Sequence, residues 1–280
     1  MTFRRIRILL LLGLLAAALS FTWLEQFMAR AWRAPLEVAV IPINGDGSPA
    51  AAAAIRGLKV SDFDDIDEFL RREIARYGVK KSSVMHFTLL PEIKEKPPAP
   101  PRDGSVLKIV FWSLQLRGWV YRQSNALLPQ LGTIKLFVLY HAPQDGVALQ
   151  HSLGLQKGLI GVVHAFAESR QTRQNNIVIA HELLHTLGAT DKYDAGGKPV
   201  YPQGYADPEL PQGVPRHQAE IMAGRLVDAV GRLVMPPSLE QCVIGALTAH
   251  EINLDEAFKW QFASTRQENV AGPAARGRNE

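Results

Sequence analysis

"HELLHTLGATDKYD", residues 181–194, is the stretch on which the fold and chemistry of this chain turn. Two histidines four apart enclose a glutamate, a glycine follows three residues later, and an aspartate three after that. The lead-in reads as a helix over 175–188, capped by Asn175 or Asn176 and ended by Gly188. Each helical residue turns about 100°, so His181 and His185 stand about 40° apart, one turn above each other. Both imidazoles therefore reach one cation from the same face. Glu182 is rotated off the pair, out of ligating position but within reach of a metal-bound water. Zinc takes four N, O or S ligands and a catalytic zinc leaves one position to water, so a third protein ligand is needed. Gly188 lets the chain turn back, and Asp191 arrives where that ligand is required. By chance HExxH occurs in about one such chain in a hundred, and with the glycine and aspartate added in about 4 in 100,000. A metal site is therefore preferred to exposed polar residues on an ordinary helix.

The pattern HExxHxxGxxD resembles the metzincin zinc peptidases, specifically those with aspartate in place of the third histidine, such as the snapalysin group. "DKY" (191–193) and "EIMAG" (220–224) are similar to that group's D-x-Y and its methionine-containing turn. The resemblance implies Zn2+ held by His181, His185 and Asp191, with Glu182 as the catalytic base. It implies Met222 beneath the metal, with Met235 in "VMPPS" as second candidate; either methionine can instead be a core filler. Tyr193 either adds a hydrogen bond to substrate or packs as a loop aromatic. The implied fold is α/β (α+β): a twisted mixed sheet with helices, an active-site helix and a smaller C-terminal lobe. An edge strand would align a peptide substrate, and "GLIGVVHAFA" (158–167) is the candidate. The resemblance is strong only over 176–224. The loop from Ala195 to Ala219 is longer than in compact relatives, and no cysteine pair pins it.

Outward from the motif, "LEVAVIPI" (36–43), "SVMHFTLL" (83–90), "VLKIVFW" (106–112) and "TIKLFVLYH" (133–141) read as strands. "SDFDDIDEFLRREIARYG" (61–78) reads as a helix, with Ile66, Phe69, Leu70 and Ile74 on one face. Five prolines exclude regular structure from 91–105. "SLEQCVIGALTAHEI" (238–252) reads as a late helix capped by Ser238.

Hydrophobic residues at 47% and charged residues at 21% suit a chain with a buried core. A net charge of +4, without a basic block interleaved with aromatics, argues against nucleic acid as a partner. Cys242 is the only cysteine, so the domain holds by packing and not by an internal disulfide. At the N-terminus, Arg4, Arg5 and Arg7 precede an uncharged run from Ile8 to Leu24, short for a bilayer span but long for a signal core. An uncleaved anchor with the domain outside the cytoplasm is preferred; secretion after a cut following Ala31, in "ARA", is the alternative. The expected organisation is an anchor or signal over 1–33, a peptidase domain over 34–265 divided at 188/189, and a tail over 266–280.

The expected activity is hydrolysis of peptide bonds by a metal-activated water with Glu182 as general base, on a peptide or protein substrate. A catalytically silent zinc-containing peptide-binding module and an amidase acting on cell-wall peptides are the alternatives. Glu182 favours an enzyme, since a structural site needs no carboxylate beside a bound water. His164 and His250 read as structural, Asp194 as solvated, and Cys242 as inert packing.

Overall fold

The computed structural model describes residues 3–101, 105–124, 132–143, 152–211, 214–228 and 230–254. The end of the expected domain and its tail (255–280) lie outside them.

The chain opens with α1 (Phe3–Ala29), about 40 Å long at 1.5 Å per residue. By length and composition it is the one helix among the described residues long and apolar enough to cross a membrane. Its apolar window is not buried against the rest of the chain.

Five strands form one sheet: β1 (Leu36–Asn44), β2 (Met85–Leu89), β3 (Ile134–His141), β4 (Leu153–Leu155) and β5 (Ile160–Phe166), in the order β2-β1-β3-β5-β4. Four are parallel, and β4 runs antiparallel to β5 at one edge. Both faces of β1, β3 and β5 are covered, which is why these strands read as nearly unbroken apolar runs. Val38, Val40, Leu136, Val138 and Val163 face one layer, packed against α2 (Pro49–Gly57), α3 (Asp64–Arg76) and α5 (Thr172–Thr186). Ile41, Ile43, Phe137, Leu139 and Val162 face the other, packed against α4 (Val106–Ser124).

Residues 106–112, expected as a strand, are the first turns of α4. The β-branched run "VLKIV" suggests a strand, but the pattern that reaches the core is Trp112, Leu116, Trp119 and Val120, at helical spacing and mostly beyond the expected end. The outward side of α4 leaves Leu107, Phe111 and Leu114 exposed. The expected helix over 61–78 is a 3-10 turn (Val60–Phe63) followed by α3. Residues 238–252 are not one helix: a 3-10 turn (Leu239–Gln241) leads to a short strand, and only Ala246–Glu251 is helical. Val243 and Ile244 break the helix because their backbones are used elsewhere. Ile221 N donates to Val243 O, and Ile244 N donates to the buried Glu73 carboxylate at 2.9 Å. "GLIGVVHAFA" is not the edge strand, since β4 lies outside it. Its Gly161 serves close packing, since a Cβ there would sit 2.7 Å from Leu136 Cδ1.

After Gly188 the chain forms small pairings: β6 (Ala219–Glu220) with β9 (Cys242–Val243), and β7 (Leu226–Val227) with β8 (Leu233–Val234). α6 (Ala246–Glu251) follows. This region is tied to α3, where Arg72 donates to Leu239 O and Cys242 O and Tyr77 Oη donates to Ile244 O at 2.7 Å.

Candidate metal centre

α5 carries the motif. Neither Asn175 nor Asn176 caps it: the helix starts at Thr172 after a 3-10 turn, and Gln171 at the cap position makes no side-chain capping bond. The two asparagines dock the helix. Asn175 exchanges hydrogen bonds with the Phe166 backbone N–H and C=O (3.0 and 2.9 Å), and Asn176 donates to Asp62 O and Asp65 Oδ1. Ile177, Ile179, Ala180, Leu183 and Leu184 are buried in the core. These contacts fix which face of the helix carries the motif. Gly188, at φ +105°, ends it in the left-handed region where a side chain would be strained.

Beyond that turn the chain comes back over the helix. His181 Nε2 and His185 Nε2 lie 3.0 Å apart, and Asp191 Oδ1 lies 3.2 and 3.1 Å from them. Tetrahedral zinc with bonds of about 2.0–2.1 Å sets its ligand atoms about 3.3 Å apart, so the triangle has the size a shared cation requires. Each imidazole is also oriented. His181 Nδ1 lies 3.0 Å from Ile221 O and His185 Nδ1 lies 2.8 Å from Ala189 O. A carbonyl only accepts, so both Nδ1 atoms carry the proton and both Nε2 lone pairs face the centre. The donor set of two imidazoles and a carboxylate suits zinc, and the three atoms form a group able to hold a metal ion.

Burial would raise the Asp191 carboxyl, but its close contacts with His181 and His185 hold it well below the usual carboxylate range. Burial would lower His181, but the bond to Asp191 and the Glu182 charge leave it raised.

Glu182 is buried at 5% exposure, next to His181 and turned out of the ligand triangle. The Tyr193 ring is stacked 6.3 Å from that of His181, and burial together with the Asp191 charge pushes its hydroxyl up to about 12. Met222 is fully buried in the turn whose Ile221 carbonyl orients His181, whereas Met235 is only half-buried against the core. Asp194 is not in the cluster. It is exposed, as the sequence suggested, and its Oδ1 also accepts from Gly196 N and Lys198 N within its own loop.

The structure adds residues that sequence reasoning missed. Glu220 is fully buried; its Oε2 accepts from Met222 N and Ala223 N, and its Oε1 accepts from Gly245 N and Thr248 Oγ1. Glu251 on α6 accepts from Thr190 N, Thr190 Oγ1 and Lys192 Nζ, the residues on either side of Asp191. Lys192 is only 4% exposed, and its N–H donates to Met222 O, joining the Asp191 loop to the methionine turn. No local signal marks Glu251, because its partners lie about sixty positions away. On the sheet side, β4 runs along α5: a Cβ on Gly154 would meet Glu182 O at 2.4 Å and His185 Cβ at 2.5 Å. A cavity of about 280 Å³ sits at the far, N-terminal end of α5 and does not touch the cluster.

No protein-family model and no curated protein matches the chain. Among solved structures, OgpA from Akkermansia muciniphila in two crystal forms gives 12% and 14% identity. These cover 76% and 80% of this chain and 58% and 61% of that one, each at a TM-score of 0.36. Catalytically inactive OgpA in complex with an O-glycopeptide (glycodrosocin) substrate gives 11% identity, 78% and 58% coverage, and a TM-score of 0.31. The chain thus spans about three fifths of that protein. None of these likenesses reaches a TM-score of 0.5.

Proposed function

We propose that the protein is a zinc-dependent peptidase of metzincin type, with His181, His185 and Asp191 as metal ligands and Glu182 as general base. One observation carries this reading: three ligand atoms 3.0–3.2 Å apart, both imidazoles locked by backbone carbonyls, and a buried carboxylate on the adjoining helix position. A bound zinc would supply Lewis acidity and lower the pKa of its water to about 7. Glu182 takes the proton of the attacking water and passes it to the leaving amine, alternating between base and acid. His181 and His185 hold their Nε2 atoms in place through Ile221 and Ala189. The Tyr193 hydroxyl, protonated at neutral pH and close to Asp191, is placed to donate to a substrate oxygen. Met222 closes the floor of the site. The edge of β4 is the sheet edge nearest the cluster and replaces 158–167 as the strand against which an extended peptide would lie. On this reading α1 holds the domain outside the cytoplasm as an uncleaved anchor.

Glu182→Gln tests the chemistry. The amide keeps the shape but cannot take a proton, so zinc should stay bound while cleavage of a peptide library falls at least about 100-fold. His181→Ala should lose zinc and activity together. A Glu182→Gln protein that cleaves at the wild-type rate would assign the base to another residue. A wild type that holds zinc and cuts nothing would leave the peptide-binding module as the better reading.

A further inference from the structure

α6 has six residues, too few to persist as a helix by themselves in water. Yet two of its side chains, Thr248 and Glu251, brace the metal centre. Thr248 holds Glu220, which holds the turn that orients His181. Glu251 holds Thr190 at 2.9 Å (N) and 2.6 Å (Oγ1) and Lys192 at 2.7 Å, on either side of Asp191. What keeps α6 in place at its C-terminal end, where a helix leaves carbonyls unsatisfied, comes from the other end of the chain. Arg30 Nη2 donates to Glu251 O and to Asn253 Oδ1 (2.8 Å), and Trp32 Nε1 donates to Ile252 O (2.8 Å). These donors lie in the first residues after α1. Ala29 and Trp32 are 2% and 3% exposed, packed into the same core as α5.

We propose that Arg30 is a positioning residue of the metal centre, acting through α6 and Glu251 on the loop that carries Asp191. The exit of the N-terminal apolar helix is then part of the catalytic domain. A chain cut after Ala31 would lose the guanidinium that fixes α6 and would bind its metal less tightly, so the intact N-terminus is the fully active form. One guanidinium nitrogen, Nη2, reaches two acceptors at once, the carbonyl of Glu251 and the side chain of Asn253. The proposal rests on the metal-site reading above.

The test uses the full chain in detergent. Zinc affinity is measured by competition with a chromophoric chelator, and ligand geometry by the absorption bands of the Co2+ form. Groups that support metal ligands typically contribute 10- to 100-fold to affinity. Arg30→Ala and Glu251→Gln should each weaken zinc binding about tenfold and change the Co2+ bands alike. The double variant should weaken binding by well under the hundredfold product, because the two act in one path. Arg33→Ala, exposed one residue beyond Trp32, should match wild type. If Arg30→Ala does not fold, Arg30→Lys, whose ammonium ends one bond short of the Nη2 position, should weaken affinity a few-fold. Wild-type affinity and Co2+ spectrum in a folded Arg30→Ala, whatever its melting temperature, would overturn the proposal, as would unchanged affinity in Arg30→Lys or a full hundredfold loss in the double variant. A wild type no better at holding zinc than His181→Ala would overturn the site reading itself, and this proposal with it.

Discussion

Gly154→Ala would test how the sheet meets the active-site helix. The added methyl would stand 2.4 Å from the Glu182 carbonyl oxygen and 2.5 Å from His185 Cβ. Neither atom is the far end of a flexible side chain: one is backbone inside α5 and the other is fixed to it. Ordinary contact needs about 3.4 Å or more, so β4 must retreat from α5 by about 1 Å or the helix must shift. Overpacking of this kind costs about 1–3 kcal/mol. For a domain of this size a cost of about 2 kcal/mol lowers the melting temperature by roughly 4–8 °C. Because the collision is with His185 itself, zinc affinity should fall as well, which a purely structural defect elsewhere would not cause. Gly118→Ala in α4 is the control. Nothing lies within 4 Å of its Cβ position, and replacing a helical glycine stabilises by about 0.5–1 kcal/mol. Calorimetry and chelator competition on the two variants decide the matter. A Gly154→Ala protein with wild-type melting and wild-type metal affinity would refute the placement of β4 against α5, and with it the choice of β4 as the substrate edge.

Three further outcomes are expected. Asp191→Ala should weaken zinc retention by at least the 10–100-fold typical of losing a supporting group, while Asp194→Ala leaves it unchanged; equal losses would mean the third ligand is misassigned. Burial pushes the Cys242 thiol up to about 12, so only about one in 10,000 is thiolate at pH 8. A thiol reagent should therefore miss it in the folded protein and titrate it fully in denaturant, and rapid labelling of the native form would contradict its burial. His164 stacks on His141 with ring nitrogens 2.9 Å apart, and burial together with that neighbour pulls its pKa from 6.5 down to about 4. A depressed histidine is neutral in the fold, so its contribution is complete above pH 6.5 and is lost as pH falls from there through about 4. His164→Asn should flatten that part of the melting-temperature profile, and an unchanged slope would show that the acid sensitivity arises elsewhere.

What could be read locally was read in the sequence. The spacing of His181 and His185, the stop at Gly188 and the return to Asp191 are set within eleven residues, and helical geometry turns that spacing into a shared face without help from the rest of the chain. The central strands β1, β3 and β5 were legible for a similar reason, since burial on both faces leaves unbroken apolar runs. The apolar reach of α1 was equally plain. The reading failed where burial alone does not distinguish the two kinds of element. Residues 106–112 are apolar in either conformation, and only the sheet face awaiting Leu116 and Trp119 makes them helix. Residues 158–167 were the candidate edge strand, but whether a strand is an edge depends on its neighbours, and β4 was too short to announce itself. Asn175 and Asn176 resembled caps and became docking groups because a 3-10 turn had already opened the helix. Only the tertiary structure brought Glu251 to Asp191 and Arg30 to Glu251, contacts across roughly 60 and 220 positions. Hydrogen-bond partners that distant leave no periodicity or spacing behind; they exist because packing α5 on the sheet and α6 beneath it closes the chain on itself.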